Sequence, residues 1–516
     1  MSRLVFLTLI LFSWCDIAFC ADGARLQKLL KDGAVAMKNG EYLKAIKSYE
    51  LYLNSQNTES HELALYQLGL ARSNITNYHL RYRQCETLKN QEECNKELDQ
   101  AFTTYAKNHP QAFELSSSDT YFYTGIDFDN LVKKYPKSAY AASAAYQTIT
   151  NFLSHVDWGS DASYYIELIP TYKEYLKKYP NGPHTVDVLC ETIETYNVVL
   201  NPTEDPDSQF IDIPSVAADA TIFYHKALPQ LLQALNTHDT VRKRKVAIAI
   251  ASVSYLVKIS PIPVKDLLYD LDPLISLSAA TMILSSGQKD TEAILTLRKA
   301  LKDEKTMSYA VKLIGQTAPN SEAAIPDLIA LLSRGRDDAI LKALGRFKNH
   351  SEEIIPVMIN AIHNGGKVIA VEALGNFGDK AVSAGHKLSM LVADEHTYYM
   401  TTLLKALYSI GPSAVESIAL PKIYAIANKK DSQIDTLYAA GLLVRMKSSN
   451  FLEFAPMFKS VFSTDDDDYY QKSLQAQAAR VLGEIGPDAK GILPLLEARC
   501  AKQCQPCCEA ASRINR

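Results

Sequence analysis

The stretch ALGRFKNHSEEIIPVMINAI, residues 343–362, contains the pattern that decides the fold. Within it, Gly345 precedes Pro356 by 11 positions. The same spacing recurs in two other glycine–proline pairs: Gly315–Pro326 and Gly483–Pro494. Glycine can end a helix in the left-handed conformation, and proline is tolerated in the first turn of a helix because an N–H there has no helical partner. The pattern therefore predicts repeated helix pairs, with the glycine ending the first helix and the proline opening the second.

This helix-pair pattern has a regular period. Gly315, Gly345 and Gly375 recur at steps of 30 residues, and later units are longer. His386 takes the place of proline after the third of these glycines. Apolar residues between the markers have the i, i+3, i+4, i+7 spacing of amphipathic helices. The pattern resembles the short kind of HEAT repeat, whose helix pairs bury their apolar faces only by stacking on their neighbours. The resemblance implies a HEAT-like array over residues 215–516.

The first half of the chain has a different pattern, built from small and aromatic residues. Gly33 and Gly69 stand 36 positions apart, and each is followed by a nearby alanine. Tyr42 and Tyr49 follow the first glycine at helical spacing. The pattern resembles the tetratricopeptide (TPR) repeat, which has a period of about 34 residues. In such a repeat the small residues let two helices approach, and the tyrosines fill the groove between them. The resemblance implies TPR-like helical repeats over residues 22–200.

Proline marks further helix ends in the first half. Residues 131–138 and 175–182 share the sequence Lys-Lys-Tyr-Pro and are 44 positions apart. Each proline is expected to stop a helix. This pattern is similar to that of TPR-like domains in exported bacterial proteins, the outer-membrane assembly lipoprotein family among them. Residues 201–214 contain three prolines and no helical stripe, so they are the predicted linker between two domains. The expected fold class is therefore all-α, an α-α superhelix (solenoid) of TPR-like followed by HEAT-like repeats.

The composition is that of an ordinary soluble protein. Hydrophobic residues make up 47% of the 516 residues and charged residues 22%, which excludes a disordered or polytopic membrane chain. Lys plus Arg number 54 and Asp plus Glu 58, for a net charge of −4. Proteins that bind nucleic acids usually carry a strong positive charge, so no nucleic-acid partner is expected.

Residues 1–20 resemble a signal peptide. Arg3 precedes an apolar run over residues 4–14, which is too short to span a membrane. Cleavage is expected before Ala21. The alternatives are a retained membrane anchor and a lipid attached to Cys20, whose preceding residues resemble a lipobox except for a bulky phenylalanine. The protein is therefore expected to be exported, as a periplasmic, outer-membrane-associated or secreted protein, with membrane association only through a lipid on Cys20.

Two cysteines lie in a long insertion at residues 75–100 of the TPR-like half. In one unbroken helix, Cys85 and Cys94 would lie about 13 Å apart, too far for a disulfide. A turn at residues 89–91 would bring them together. Exported proteins keep disulfides oxidised, so we predict a Cys85–Cys94 bridge that closes a helical hairpin.

Four more cysteines stand near the C-terminus: Cys500, Cys504, Cys507 and Cys508. The first three match the spacing of an iron–sulfur motif, and a zinc site is a further alternative. An exported helical chain favours two disulfides instead, with the connectivity open. Cys190 lies among apolar residues at helical spacing and is expected to be a buried thiol.

No catalytic or cofactor-binding motif is present in the sequence. It has no His-Glu-x-x-His zinc motif, no Gly-x-Ser-x-Gly nucleophile turn and no Walker-type phosphate loop. The basic run at residues 242–245 could bind phosphate or an acidic partner, but we interpret it as the solvated start of a helix. The acidic run at residues 465–468 could bind calcium, but we interpret it as a loop that caps a helix. We therefore expect no catalytic residue, cofactor or metal.

Two repeat patterns on an exported chain without a catalytic motif indicate a scaffold that binds peptides or proteins. The concave side of stacked helix pairs would hold the partner through aromatic and apolar side chains, and some of the 29 tyrosines could line such a groove. The alternatives are a lipid-anchored structural subunit of an envelope assembly machine, and a metal-dependent hydrolase whose site converges from distant repeats.

Overall fold

The computed structural model describes most of the chain after residue 22, and these residues are predominantly helical, as the all-α prediction expects. The described residues are 23–55, 58–86, 89–116, 119–153, 162–200, 213–257, 260, 262–332, 338–363, 367–394, 397–429, 433–463, 469–501 and 504–515. The predicted signal peptide, with Cys20, and residues 201–212 of the predicted linker lie outside them. The chain divides into two compact units, Met1–Thr192 and Ile193–Arg516.

The first unit consists of helices and one short hairpin within its described residues. The helices that begin in it are α1 (23–38), α2 (Tyr42–Leu53), α3 (His61–Thr76), α4 (Tyr78–Arg81), α5 (Gln91–Lys107), α6 (Ile126–Lys134), α7 (Ala141–Leu153), α8 (Ala162–Lys178) and α9 (Thr185–Leu200). A 3₁₀ segment spans Tyr82–Cys85. As predicted, α6 and α8 end just before the Tyr-Pro sequences, because proline cannot continue a helix.

A β-hairpin lies between α5 and α6. Strands β1 (Phe113–Leu115) and β2 (Tyr121–Tyr123) are antiparallel, with Phe113 opposite Tyr123. These two side chains are buried, and Phe113 packs edge-on against Phe102 of α5 at 5.7 Å between ring centroids. The sequence does not predict the hairpin, because three residues per strand are too few to show an alternating pattern.

Glycines in the first unit receive aromatic rings from neighbouring helices. A Cβ at Gly33 would lie 2.7 Å from the Tyr49 ring, and a Cβ at Gly69 would lie 2.6 Å from the Phe128 ring. Tyr49 is 1% exposed and Phe128 is 0% exposed. The expected packing of Tyr49 between helices is confirmed, and the glycines supply the space that such rings need.

A buried ion-pair network connects five elements of the first unit. Arg72 on α3 pairs with Asp127 on α6 at 2.8 Å and with Glu50 on α2 at 2.7 Å. The Tyr105 hydroxyl donates to Glu50 Oε1 and accepts from Arg72 Nη2. The Tyr123 hydroxyl donates to Asp127 Oδ2. Burial alone would lower the pKa of the Arg72 guanidinium, but Asp127 and Tyr105 raise it above its usual value, so Arg72 stays charged.

The second unit is a succession of short helices. They are α10 (Ile213–Ala234), α11 (Thr240–Val253), α12 (Pro273–Ser285), α13 (Thr291–Ala300), α14 (Met307–Gln316), α15 (Ile325–Leu332), α16 (Asp338–Leu344), α17 (Ser351–His363), α18 (Lys367–Asn376), α19 (Gly385–Ala393), α20 (Met400–Ile410), α21 (Leu420–Ala427), α22 (Ile434–Arg445), α23 (Ala455–Ser463), α24 (Tyr469–Ile485), α25 (Leu493–Ala501) and α26 (Gln505–Ile514). The 3₁₀ segments are Ile262–Tyr269, Glu322–Ala324, Lys348–His350, Gly378–Ala384, Pro412–Ala414, Ser417–Ala419, Phe451–Glu453 and Gly486–Ile492.

Every second helix of this unit packs on the next one of the same series, from α12 through α14, α16, α18, α20, α22 and α24 to α26. Glycines lie at these contacts. A Cβ at Gly315 would lie 3.0 Å from Cα of Ala343, and a Cβ at Gly375 would lie 3.0 Å from Cα of Ala406. The same pairing recurs twice more: Gly345–Ala373 and Gly483–Ala510. We call this series of eight helices the even-helix row.

The expectation that these repeat glycines end helices in the left-handed conformation is wrong. Gly315, Gly375 and Gly483 lie inside α14, α18 and α24, and Gly345 directly follows α16. The left-handed glycines of the described part of this unit are others, each shortly after the end of an even helix: Gly287 (φ 92°), Gly378 (φ 60°), Gly411 (φ 116°) and Gly486 (φ 74°). The repeat glycines are required by the close approach of the next helix, and not by the backbone conformation.

The prediction for the repeat prolines is confirmed at two of three positions. Pro326 and Pro494 are the second residues of α15 and α25, where a missing N–H costs little. His386 occupies the same position in α19. Pro356 is instead the sixth residue of α17, because that helix starts earlier, at Ser351.

We expect Gly315→Val to lower the free energy of unfolding by about 1–3 kcal/mol, because the added side chain would press on the backbone of Ala343. Gly491→Val is the control, since nothing lies within 4 Å of a Cβ there. Urea unfolding followed by circular dichroism measures both. Equal destabilisation by the two substitutions would contradict the packing role of Gly315.

We expect Asp127→Asn to lower the free energy of unfolding by about 3–5 kcal/mol, because it leaves the buried Arg72 without its full countercharge. Asp99→Asn removes a similar ion pair, to Arg81, but the Asp99 side chain is 43% exposed, so about 0–1 kcal/mol is expected. The same unfolding measurement compares the two variants, and a similar loss in both would show that burial does not set the cost.

Candidate functional site

An open cleft of about 1110 Å³ runs along one face of five successive members of the even-helix row, α18, α20, α22, α24 and α26. Each helix contributes residues at helical spacing, such as Glu372 and Asn376 of α18 or Tyr438 and Arg445 of α22. Examples, one from each helix in order, are Glu372, Lys405, Tyr438, Arg480 and Glu509. We call it the α18–α26 cleft. It is the candidate functional site.

Two tyrosines form the floor of the cleft. The rings of Tyr408 and Tyr438 meet edge to face, with 5.4 Å between centroids. The Tyr408 hydroxyl donates to the carbonyl oxygen of Val481 at 2.8 Å, and the Tyr438 hydroxyl donates to Gln477 Oε1 at 2.6 Å. Burial raises the pKa of Tyr438 to about 12 and that of Tyr408 still further, so both side chains are neutral donors at physiological pH. These bonds join α20 and α22 to α24.

Arg445, at the end of α22, contacts Tyr408 of the same floor. Its Nη1 donates to the carbonyl oxygen of Tyr408 at 2.6 Å, and its guanidinium lies 4.6 Å from the centroid of the Tyr408 ring. A guanidinium over an aromatic face is held by both charge and stacking. The guanidinium of Arg445 therefore stabilises the contact between α22 and α20.

Lys405 and Arg480 lie at the centre of the cleft. Lys405 is half-buried, with its Nζ 5.9 Å from the centroid of the Tyr438 ring. Burial lowers the pKa of Lys405, and the nearby charge of Arg480 lowers it further, while Glu372 opposes the shift. Arg513, at the α26 end of the cleft, differs from Lys405 and Arg480 because it forms an ion pair, with Glu484.

One rim of the cleft carries an exposed aromatic side chain. Tyr398 is 85% exposed, and it packs edge to face on Tyr399, which is 8% exposed, at 5.1 Å. A large apolar side chain in water at the edge of a cleft is a common feature of binding surfaces.

The predicted bridge between Cys85 and Cys94 is present, with 5.9 Å between their Cα atoms. A turn separates the 3₁₀ segment that ends at Cys85 from α5, as the prediction requires. Cys190 is buried. Cys20, the proposed lipidation residue, lies outside the described residues.

The tail cysteines form two pairs that the sequence analysis left open. Cys500 pairs with Cys508 and Cys504 with Cys507, at Cα–Cα distances of 4.8 and 5.3 Å. The first pair joins α25 to α26, and the second pair lies in the first turn of α26. Because α26 contributes Glu509 and Arg513 to the cleft, the tail disulfides hold one wall of the site.

The basic run at residues 242–245 is not part of this cleft. At the start of α11, Lys243 pairs with Asp270 at 2.6 Å and Arg244 pairs with Asp272 at 2.5 Å. Asp239 caps the helix by accepting from the N–H groups of the next turn. The run therefore lies at the start of a helix, as interpreted, but it is not fully solvated, because Lys243 and Arg244 are half-buried in ion pairs. The acidic run at 465–468 lies outside the described residues.

The cleft cannot be found in the sequence, because its residues are spread over 146 positions, from Val368 to Arg513, without a local motif. The available signal was a weak one. Polar and tyrosine residues recur on one face of every second helix, and only the alternation of helices shows that these faces adjoin.

Within the described part of the chain, no group of three or more His, Cys, Asp or Glu side chains could hold a metal ion. No helix described there combines the length and the apolar character needed to cross a membrane. No protein-family model matches the sequence, and a search of the curated proteins finds no match.

We expect mass spectrometry to find the pairs Cys500–Cys508 and Cys504–Cys507, after stepwise reduction and alkylation with two different reagents. Reduction should also speed hydrogen exchange in residues 505–514, because α26 loses its covalent link to α25. Reduction of the remote Cys85–Cys94 bridge alone is the control and should leave that exchange unchanged. A Cys500–Cys504 bridge would contradict the arrangement.

Proposed function

We propose that the protein is a non-enzymatic interaction scaffold of the cell envelope, whose α18–α26 cleft binds an extended segment of a partner protein. The observation that carries the proposal is the cleft itself, formed by one face of each of five successive helices and lined by tyrosines and charged side chains. A row of helices presents such a continuous face when helix pairs stack as in a solenoid.

The dimensions of the cleft suit a peptide. Neighbouring helices lie about 8–10 Å apart, so five of them extend over about 32–40 Å. An extended chain covers about 3.3–3.6 Å per residue, which gives a bound segment of about ten residues. The volume of about 1110 Å³ is also above the range of about 300–1,000 Å³ for small-molecule pockets.

The chemistry of the cleft suits the same ligand. Tyr398, which is 85% exposed at the rim, offers a large contact area with few rotatable bonds, so ordering it costs little entropy. Charged side chains of the cleft would fix the register of the bound segment. This combination of aromatic surface and polar groups is typical of peptide-binding grooves.

The wider architecture belongs to the same proposal. The even-helix row and its repeated glycine–alanine contacts support a HEAT-like solenoid for the second unit. The seating of Tyr49 and Phe128 on glycines supports TPR-like packing in the first unit. Three disulfides support export to an oxidising compartment such as the periplasm.

The experiment selects decapeptides from a displayed random library on the immobilised full chain and measures their affinity for two variants. Ser409 lines the cleft and is exposed, so Ser409→Trp should block it and weaken binding at least about tenfold. Ser512→Trp is the matched control, on an exposed position of α26 outside the cleft, and should leave affinity unchanged.

Hydrogen exchange gives a second measurement of the same proposal. A bound peptide should slow exchange in α20 and α24, whose side chains line the centre of the cleft. Selected peptides that bind Ser409→Trp as tightly as the natural sequence, or that protect only residues outside α18–α26, would contradict the proposal.

A further inference from the structure

Lys405 and Arg480 are two cations that line the α18–α26 cleft, where the charge of Glu372 acts on Lys405 from beyond ion-pair distance. Among the residues that the structure describes, neither side chain forms an ion pair or hydrogen bond. They are nevertheless close enough that the charge of Arg480 lowers the pKa of Lys405. Like charges near one another repel, and an anion that binds near both would relieve that repulsion.

Other cations of the second unit are paired across helices. Arg298 on α13 pairs with Asp327 on α15, Lys243 pairs with Asp270, and Arg513 pairs with Glu484. The sequence thus places acids opposite these cations, including one in the cleft itself. Opposite Lys405 and Arg480 there is no acid at ion-pair distance within the described chain, and the position is open to the cleft.

The surroundings define what could fill this position. The Tyr438 ring lies beside Lys405, so the ammonium is presented on an aromatic surface. Arg480 is exposed and its guanidinium can bind a carboxylate through two parallel hydrogen bonds. An acid placed between the two would neutralise their repulsion and gain charge-assisted hydrogen bonds from both.

We propose that Lys405 and Arg480 bind an Asp or Glu side chain of the extended segment, and so set the sequence preference of the cleft. This inference rests on the proposed peptide-binding function. A single carboxylate fits better than a polyanion, because Glu372 also lines the cleft and would repel further negative charge. The preferred segment therefore has one acidic residue flanked by neutral or basic ones.

The test uses the full chain and the decapeptides selected on it. We expect the selected peptides to share one acidic position. Replacing that acid by its amide should weaken binding to the natural sequence at least about tenfold, as expected for charge-assisted hydrogen bonds. In the double variant Lys405→Met, Arg480→Gln the same replacement should have no effect. Lys422→Met, on α21 and outside the cleft, is the control and should retain the acid preference.

Charge reversal gives a gain-of-binding measurement that loss of folding cannot mimic. Lys405→Glu should bind the peptide with lysine at the acidic position more tightly than the peptide with aspartate. Lys405→Met should keep the melting temperature, because it removes an uncompensated charge from a half-buried site.

Peptides without an acidic residue that bind tightly and are blocked by Ser409→Trp would overturn this inference and leave the proposed function standing. An equal effect of the amide replacement in the double variant would also overturn it. Insensitivity of binding to Ser409→Trp would contradict the proposed function itself. Tighter binding of a single-stranded oligodeoxythymidylate than of the acidic peptides, dependent on Lys405 and Arg480, would assign the two cations to a polyanion instead.

Discussion

The close approach of neighbouring even helices is the constraint on which the second unit depends. At Gly315, Gly375 and Gly483 any side chain would meet the alanine of the next helix at 3.0–3.2 Å. Glycine in a helix interior costs about 0.5–1 kcal/mol relative to alanine. The contact offsets that cost, because helices that touch at the backbone bury the flanking apolar residues against each other. The repeat persists since each unit needs its neighbour to bury that surface.

The cleft follows from the same contact. Each even helix has one face that does not pack on the odd helices. Once the even helices lie side by side, these faces adjoin and form one continuous surface. Tyr408, Tyr438 and Arg445 then bond across three helices and hold this shared face in one shape. A binding surface held by its own hydrogen bonds loses less entropy when a ligand arrives. The exception is the pair Lys405 and Arg480, which form no ion pair or hydrogen bond within the described chain.

The helices of the first unit pack through different contacts. Its glycines receive aromatic rings, and its centre contains the network of Arg72, Asp127 and Glu50. A buried ion pair adds little net stability, because desolvation offsets the attraction, but it strongly penalises arrangements that separate the charges. The network links α2, α3 and α6, and through tyrosines also α5 and the hairpin. We interpret it as specifying how these elements dock.

The sequence by itself determined the helical class, the repeated glycine–proline spacing, the helix ends at Tyr-Pro and the Cys85–Cys94 bridge. Each of these depends on local spacing or on backbone restrictions of single residues. Tertiary structure decided the rest: the role of Gly315 in helix approach, the pairing of Cys500 with Cys508, and the meeting of Lys405 with Arg480. The two cations are 75 positions apart in the chain. No local sequence pattern predicts a contact between residues so far apart in the chain, because the contact depends on how successive helices stack.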